Sequence, residues 1–422
     1  MNSQNKIDYS KNQFINLLFK FQIISIPLVL IIWYLIPGYF PIVLASRMSF
    51  YGADGNCVTN GIAIGTHCFG DYGSLINGIQ LVDNVWSDGP GTPYPPFSIL
   101  IMKVFILMNQ YLGATAALAF YLLSLCGSMI FPMWHATKLL KPAERIQIIG
   151  MLTIATTPFL NVLDRGNNVV WAIPFLYLGL INMNNTVSIA YLSIAIALRP
   201  QLVIFLLLIL ISGKFKKIFA VVSFTSVIYL LSFALKLERN ILRGLVDFFG
   251  ALKGQAAGIP ENWPPNLSMA RGIKTILETL NIPIDDSAII KISIFIIFCI
   301  FVKIIVISKD ANRSILSINI IPLIFLIPPM TWYYYGAFLI VAIAMIIKEN
   351  LTIEDLGFGR RSIGLLFVIA IWLTFTPMYI PIGVDFNNLI QMLVPICWTL
   401  YYITFLTSSW RKSTYEITAY PR

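Results

Sequence analysis

Residues 113–137 read GATAALAFYLLSLCGSMIFPMWHAT, a run without one charged side chain, and Lys138, Lys141 and Arg145 follow it. A helical bilayer crossing takes about 20 apolar residues. Basic turns stay on the cytoplasmic side. The longer stretch from Pro95 to Thr137 has room for two crossings, or for one crossing preceded by an apolar helix at the membrane surface. One crossing over about Gly113–Thr137 puts the Lys138–Arg145 turn and the later Lys214, Lys216, Lys217 turn both inside. Two crossings would put the first of them outside. The direction of this helix therefore fixes the expected direction of the rest.

Outward from it, the whole chain has the same character. Of 422 residues 58% are hydrophobic and 11% are charged, and mean hydropathy is +0.79. Soluble domains carry about 25% charge. This excludes a soluble globular enzyme, a disordered tail and a nucleic-acid binder, in spite of a net charge of +10. Within lipid every backbone N–H and C=O must be paired inside the segment, so the spanning pieces are helices. Phe21–Ser46 is too long for a signal-peptide core and reads as a signal anchor. Further charge-free runs are Ile146–Leu163, Gly166–Leu198, Ile218–Leu235, Ile292–Val302, Ser314–Ile347, Ser362–Val384 and Phe386–Trp410. Gly166–Leu198 is broken at Asn182-Met183-Asn184-Asn185, and Arg199-Pro200-Gln201 interrupts the next pair. Ser314–Ile347 is broken by Pro328-Pro329 and by Trp332 to Gly336. The expectation is one all-α transmembrane domain over residues 1–422, with about twelve spans. It has a first outer loop at 37–94 and a second at 236–288. Both termini are cytoplasmic and the protein sits in the inner cell membrane. The basic excess then falls on the inner side, as a topology signal and an attraction to anionic lipid.

This topology gathers polar groups on the outer side. The first loop holds Asp54, His67, Asp71, Asp83 and Asp88. Later turns bring Asp164-Arg165-Gly166-Asn167-Asn168, Arg199-Pro200-Gln201 and Trp332-Tyr333-Tyr334-Tyr335, and the second loop brings Glu261, Trp263, Asn266, Ser268 and Arg271. Charges at a membrane boundary are costly unless paired, solvated or functional, so the convergence predicts an outward-facing site. Outside the cytoplasm there are no nucleotide-sugars, and a sugar donor must ride on a lipid such as a polyprenyl phosphate. Transfer then needs a carboxylate to take the acceptor's proton and cations or dipoles to hold the departing phosphate.

At these residues the chain resembles the lipid-linked-sugar transferases of the GT-C class, specifically glycosyltransferase family 87. The resemblance rests on Asp71-Tyr72 followed by Thr92-Pro93-Tyr94-Pro95-Pro96-Phe97, on Asp164-Arg165-Gly166-Asn167-Asn168, on Leu198-Arg199-Pro200, on Asn266-Leu267-Ser268 with Arg271, and on Pro329-Met330-Thr331-Trp332. It covers residues 71–335 and is carried by order and spacing together. It implies a GT-C-like bundle with an outward groove and a mannosyltransferase-like hexose or pentose transfer from a polyprenyl-phosphate sugar to a glycolipid or glycan. Asp71 corresponds to the family's catalytic Asp. Asn167 stands where the family usually has Gln, Arg199 where it has Lys, and Tyr334 where it often has His.

Each candidate also has a plainer reading. Asp71 is the candidate base, while Gly70-Asp71-Tyr72-Gly73 is also good turn chemistry. Asp164 and Arg165 are candidate substrate ligands, or an ion pair holding a turn. Asn167, Arg199 and Arg271 are candidates for the donor, with Arg suited to bidentate oxyanion contacts. Tyr94, Trp332 and Tyr334 are candidates for the sugar, although aromatic belts are ordinary at membrane boundaries. Cys57 and Cys68 share the first outer loop, where a disulfide is plausible in an oxidising compartment. Cys126, Cys299 and Cys397 read as apolar packers. His67 and His135 lack metal-ligand spacing and no Asp-x-Asp pair occurs in the loops, so no metal site and no cofactor are expected. The rival classes are a transporter or flippase of lipid-linked saccharides and another membrane polysaccharide polymerase or ligase.

Overall fold

A computed structural model describes residues 12–34, 57–59, 62–65, 71–72, 94–235, 241–255, 267–308, 312–328, 333–375 and 384–408. Among these the chain is helical, apart from a short antiparallel hairpin of β1 (Cys57–Thr59) and β2 (Ile62–Gly65). The first helix, α1 (Gln13–Tyr34), is capped by Asn12, whose Oδ1 accepts from Phe14 N–H at 3.1 Å and Ile15 N–H at 3.2 Å. Next come α2 (Pro96–Leu112) and α3 (Ala114–Ala136). The chain breaks between them at Gly113, whose φ of 86° suits glycine. This is where the sequence puts the start of the Gly113–Thr137 crossing.

The charge-free run 146–163 is not one continuous helix. α4 (Pro142–Ile149) passes into a π turn at Gly150–Ile154 and bends by 68° into α5 (Thr157–Arg165). Pro158 supplies the reason: in a continuous helix its ring would clash with the carbonyl four residues earlier. A 3₁₀ turn at Asn168–Trp171 leads into α6 (Ala172–Ile181), which pairs with α7 (Val187–Leu198) across the expected break at Asn182–Asn185. After Arg199 come a 3₁₀ turn at Pro200–Phe205, α8 (Leu206–Ile211) and α9 (Phe215–Ala234). The stretch 236–288, expected to be a long loop, holds two helices among its described residues, α10 (Ile241–Gln255) and α11 (Met269–Thr279).

α12 (Asp286–Ile307) overruns the charge-free stretch 292–302 at both ends. Asp285 caps it, its Oδ2 accepting from Ser287 N–H at 3.0 Å. Lys303 is kept inside the helix because its ammonium reaches the Leu406 carbonyl at 2.9 Å and the Ser408 carbonyl at 2.6 Å. The chain ends with α13 (Arg313–Ile320), α14 (Leu323–Leu326), a 3₁₀ turn at Tyr333–Phe338, α15 (Leu339–Glu349), α16 (Ile353–Leu356), α17 (Arg361–Phe375) and α18 (Val384–Thr407).

Among the described residues three helices, α3, α9 and α12, are long and apolar enough to cross a membrane, and the bent α4–α5 pair makes a fourth. Several shorter apolar helices accompany them. α15 is apolar all round from Leu339 to Ile347 and every one of those residues is buried, so it forms the axis of the bundle. Buried Asn319 ties α13 to α18: Tyr401 donates to its side-chain oxygen and Tyr402 to its carbonyl at 2.6 Å.

Helix directions define two ends. α6 leaves Asn168 and reaches Asn182, and α7 returns to Arg199, which bonds back to Asn168 at 2.6 Å. At 1.5 Å per residue the Asn182–Asn185 turn therefore lies about 20 Å from Arg199. α15 likewise runs from the Tyr333–Phe338 turn to Lys348 and Asn350. Asn350 accepts from the Asn12 amide at 3.0 Å, so α1 begins at that far end as well.

Candidate functional site

The near end is organised by the corner at Gly166. That residue is left-handed (φ 64°, ψ 44°) and closes α5: its N–H bonds the Leu163 carbonyl at 3.1 Å, and Asn167 N–H bonds the Val162 carbonyl at 3.0 Å. This Schellman closure favours glycine and satisfies the last carbonyls of the helix. Tyr121, on α3, donates to the Gly166 carbonyl at 2.7 Å and pins the corner from outside.

The corner aims two side chains at Asp71. Arg165 Nε donates to Asp71 Oδ2 at 3.2 Å and an η nitrogen reaches Oδ1 at 3.4 Å. Asn167 Nδ2 donates to the same Oδ2 at 2.7 Å. The side chains of Arg165 and Asp71 are 14% and 20% exposed, so the pair is largely shielded yet reachable. Asn167 acts as a node. Its Oδ1 accepts from Val169 N–H at 2.9 Å and caps the next turn, while its amide also donates to the Tyr94 hydroxyl at 2.9 Å. An Asp there would lose both donations and face Asp71 with like charge.

Tyr94 sits just before the proline start of α2. Ser98, one turn on, donates to the Leu198 carbonyl at 3.2 Å and docks that start against the end of α7. The Tyr94 ring thereby meets the next residue, Arg199, whose guanidinium carbon lies 5.2 Å from the ring centre. Burial, reinforced by the Asp71 charge and opposed by Arg199, holds the Tyr94 hydroxyl well above the usual phenol range. It stays a neutral phenol.

Arg199 is 5% exposed and donates to Asn168 Oδ1 at 2.6 Å. Three buried polar atoms around it have no partner among the described residues: Arg199 Nε, Asn168 Nδ2 and Gln201 Oε1. Buried polar groups are nearly always bonded, and two of these three are donors. The pair suits an incoming oxyanion.

Tyr334 and Tyr335 close the rim, stacked at 5.3 Å. The Arg165 guanidinium lies 5.9 Å from the Tyr334 ring, and Gln201 donates to the Tyr335 hydroxyl at 3.4 Å. Burial first, then Tyr94, Tyr335 and Asp71, push the Tyr334 hydroxyl well above its ordinary range, against the pull of Arg165. Gly336 allows this turn to sit tight, since a Cβ there would stand 2.8 Å from Thr374 Cγ2 and 3.1 Å from Pro158 Cγ. Beneath the corner Tyr72, Tyr121, Phe105 and Trp171 make an aromatic wall, with centroids 4.5 Å apart for Tyr72–Tyr121 and 5.8 Å for Phe105–Trp171.

The structure thus brings together Asp71, Arg165, Asn167, Tyr94, Arg199 and Tyr334 of the residues singled out in the sequence. Arg271 stands apart. It lies in the first turn of α11, its N–H bonded to the Ser268 hydroxyl at 3.2 Å, and its buried Nε has no partner among the described residues. Among the described residues no hydrogen bond joins it to the Asp71 network. α11 is instead pressed on α18, where a Cβ at Gly272 would stand 2.6 Å from the Pro395 carbonyl oxygen. The Asp164 side chain, Trp332, and Cys68 with its expected bond to Cys57 lie outside the described residues. Asn168, Gln201 and Tyr335, named from the sequence in their turns but given no role, and Tyr121, not named from it at all, join the site. Their signal was polarity beside a span-end arginine or within an apolar run. Among the described residues no three His, Cys, Asp or Glu side chains group to hold a metal. No known protein-family model matches this chain, and no curated protein matches it.

Proposed function

We propose that this chain is a multi-pass membrane glycosyltransferase of GT-C architecture, with about twelve spans, both termini cytoplasmic and an outward groove. It moves a hexose such as mannose, or a pentose, from a polyprenyl-phosphate donor to a glycolipid or glycan. The observation that carries this reading is the pairing of a reachable carboxylate, Asp71, with buried unpartnered donors on Arg199 and Asn168. Such a pairing supplies a proton acceptor and an oxyanion holder side by side.

In the reaction, the acceptor hydroxyl attacks the anomeric carbon from the face opposite the phosphate. The carbon–oxygen bond to phosphate breaks and polyprenyl phosphate leaves as the anion. Configuration inverts. The hydroxyl proton passes to Asp71, where Oδ2 is occupied by Arg165 and Asn167 while Oδ1 takes only the long 3.4 Å bond and keeps lone pairs for the acceptor. Arg165 and Asn167 position that carboxylate. Arg199 and Asn168 hold the departing phosphate, and Tyr94, Tyr334 and Tyr335 offer ring faces to the sugar.

The test gives purified protein radiolabelled polyprenyl-phosphate sugars and analyses the product lipids. A new glycosidic product, lost in Asp71→Asn, is expected. Binding and translocation with no product would instead make it a carrier of lipid-linked saccharide.

A further inference from the structure

The far end carries cations that the site does not use. Lys217 donates to the Met183 carbonyl at 2.5 Å and the Asn185 carbonyl at 2.8 Å, Lys214 reaches Asn184 Oδ1 at 3.4 Å, and an η nitrogen of Arg313 donates to the same oxygen at 2.5 Å. Three positive charges therefore crowd one turn. Among the described residues no carboxylate pairs with any of them. Carbonyl and amide dipoles offset part of the repulsion among these three side chains, which together carry +3.

An apolar groove of about 500 Å³ opens beside it. Val203, Leu206, Leu207 and Leu210 form one wall, with Ile218 of α9 and Phe301 of α12 opposite. Leu210 and Ile218 flank the turn that holds Lys214, and Ile218 directly follows Lys217, so the groove ends at the cations. Its wall faces outward, with Val203 52% and Leu210 43% exposed. An apolar cleft of this size is within the range that encloses a small ligand, about 300–1,000 Å³. Basic pockets between membrane helices take anionic headgroups.

We infer that this cleft binds one diacyl phospholipid with an anionic phosphodiester headgroup. The phosphate sits among Lys214, Lys217 and Arg313, and an acyl chain lies along Val203–Leu210. Charge complementarity selects this occupant: the turn holding the three cations adjoins Leu210 and Ile218, whereas Arg199, toward the Val203 end, is buried and already engaged with Asn168 at 2.6 Å. The inference does not depend on the sugar-transfer reading.

The test is native mass spectrometry of the full chain released from nanodiscs made of equimolar phosphatidylglycerol and phosphatidylcholine. Phosphatidylglycerol adducts are expected to exceed phosphatidylcholine adducts at least about fivefold. K214Q/R313Q, which changes two side chains at the edge of the turn, should reduce the preference. K214Q/K217Q/R313Q should abolish it. L207W should lower adduct occupancy by filling the cleft. Equal retention of the two lipids, or a preference unchanged in the triple variant, overturns the inference. Displacement by stoichiometric polyprenyl phosphate overturns it in favour of a donor-tail groove. Displacement by glycerol 3-phosphate overturns it in favour of a headgroup-only anion site.

Discussion

The two ends of the bundle use the same residue types in opposite ways. At the near end Arg165 and Arg199 are withdrawn from solvent, one paired to Asp71 and the other left with an unpartnered Nε. At the far end Lys214, Lys217 and Arg313 rest on carbonyl and amide oxygens of one turn. A buried charge is costly unless paired, so the near end is maintained against a cost. The far end satisfies the preference of cations for a helix C-terminus and a membrane edge. The contrast separates a site from an anchor more sharply than counting charges does.

The strongest way to break the comparison is Asp71→Asn. Loss of a general base lowers turnover by about 10²–10⁴, whereas Lys217→Gln at the far end should leave transfer in fixed detergent and lipid within about twofold. Initial rates with a labelled donor decide between these outcomes. Equal effects at the two ends would erase the distinction. Asp71→Asn also strands Arg165, and removing one partner of a buried pair destabilises by about 3–5 kcal/mol. The comparison therefore includes Arg165→Met/Asp71→Asn, which removes the stranded charge. Its melting temperature should recover while its rate should not.

Arg199→Lys comes next. It keeps the charge and removes the planar fork that reaches Asn168. Donor KM should rise by about tenfold or more, corresponding to the loss of one charge-assisted hydrogen bond of about 1.5–3 kcal/mol. Acceptor KM should change little. A parallel rise in both constants would show that Arg199 only braces the corner.

Much of this near end was legible in the sequence, for a physical reason. Asp71, Arg165 and Arg199 are conspicuous because charge at the edge of an apolar run needs an explanation, and positive-inside reasoning put all three on one side. The start of the crossing at about Gly113 was legible from the basic turns that must share one side, and the break at Asn182 from amide residues inside an apolar run. Which of two adjacent amides would turn toward Asp71 was not legible. Asn167 and Asn168 have the same chemistry, and only the left-handed closure at Gly166 sends one to Asp71 and the other to Arg199. The 68° bend after Ile154 was hidden because Pro158 is equally at home in the first turn of a helix. Arg271 was as conspicuous as Arg199. Its separation from the network is set by the close seat of Gly272 on α18, a long-range contact that has no local signature.

Gly166→Ala tests that closure. A non-glycine residue held at a φ of 64° costs about 1–2 kcal/mol, so the melting temperature in detergent should fall by a few degrees. Because the corner aims both Arg165 and Asn167, turnover should fall further than stability does. Gly213→Ala is the far-end control, with a similar φ of 67°. It should show a comparable loss of stability with transfer unchanged. Equal losses of transfer in both would mean that the near-end corner has no special geometric role.

The smallest expected effect belongs to Tyr94→Phe, and it sharpens the account of how the carboxylate is held. Removing the hydroxyl takes one acceptor from Asn167 but leaves that amide its 2.7 Å bond to Asp71. One N–H of the buried Asn167 amide then lacks its acceptor, and the loss should be about 1 kcal/mol, the low end for a stranded neutral donor. Transfer should fall only severalfold. The sign of the pH dependence follows from the raised position of this phenol. Burial and the Asp71 charge disfavour its ionised form, so it keeps its proton through and beyond the ordinary phenol range near pH 10. The rate profiles of the native protein and Tyr94→Phe should therefore have the same shape below about pH 10 and differ by a constant factor. A limb present in the native profile and absent from the variant would mean that Tyr94 gives up a proton during turnover, and the base assigned to Asp71 would then have to be shared.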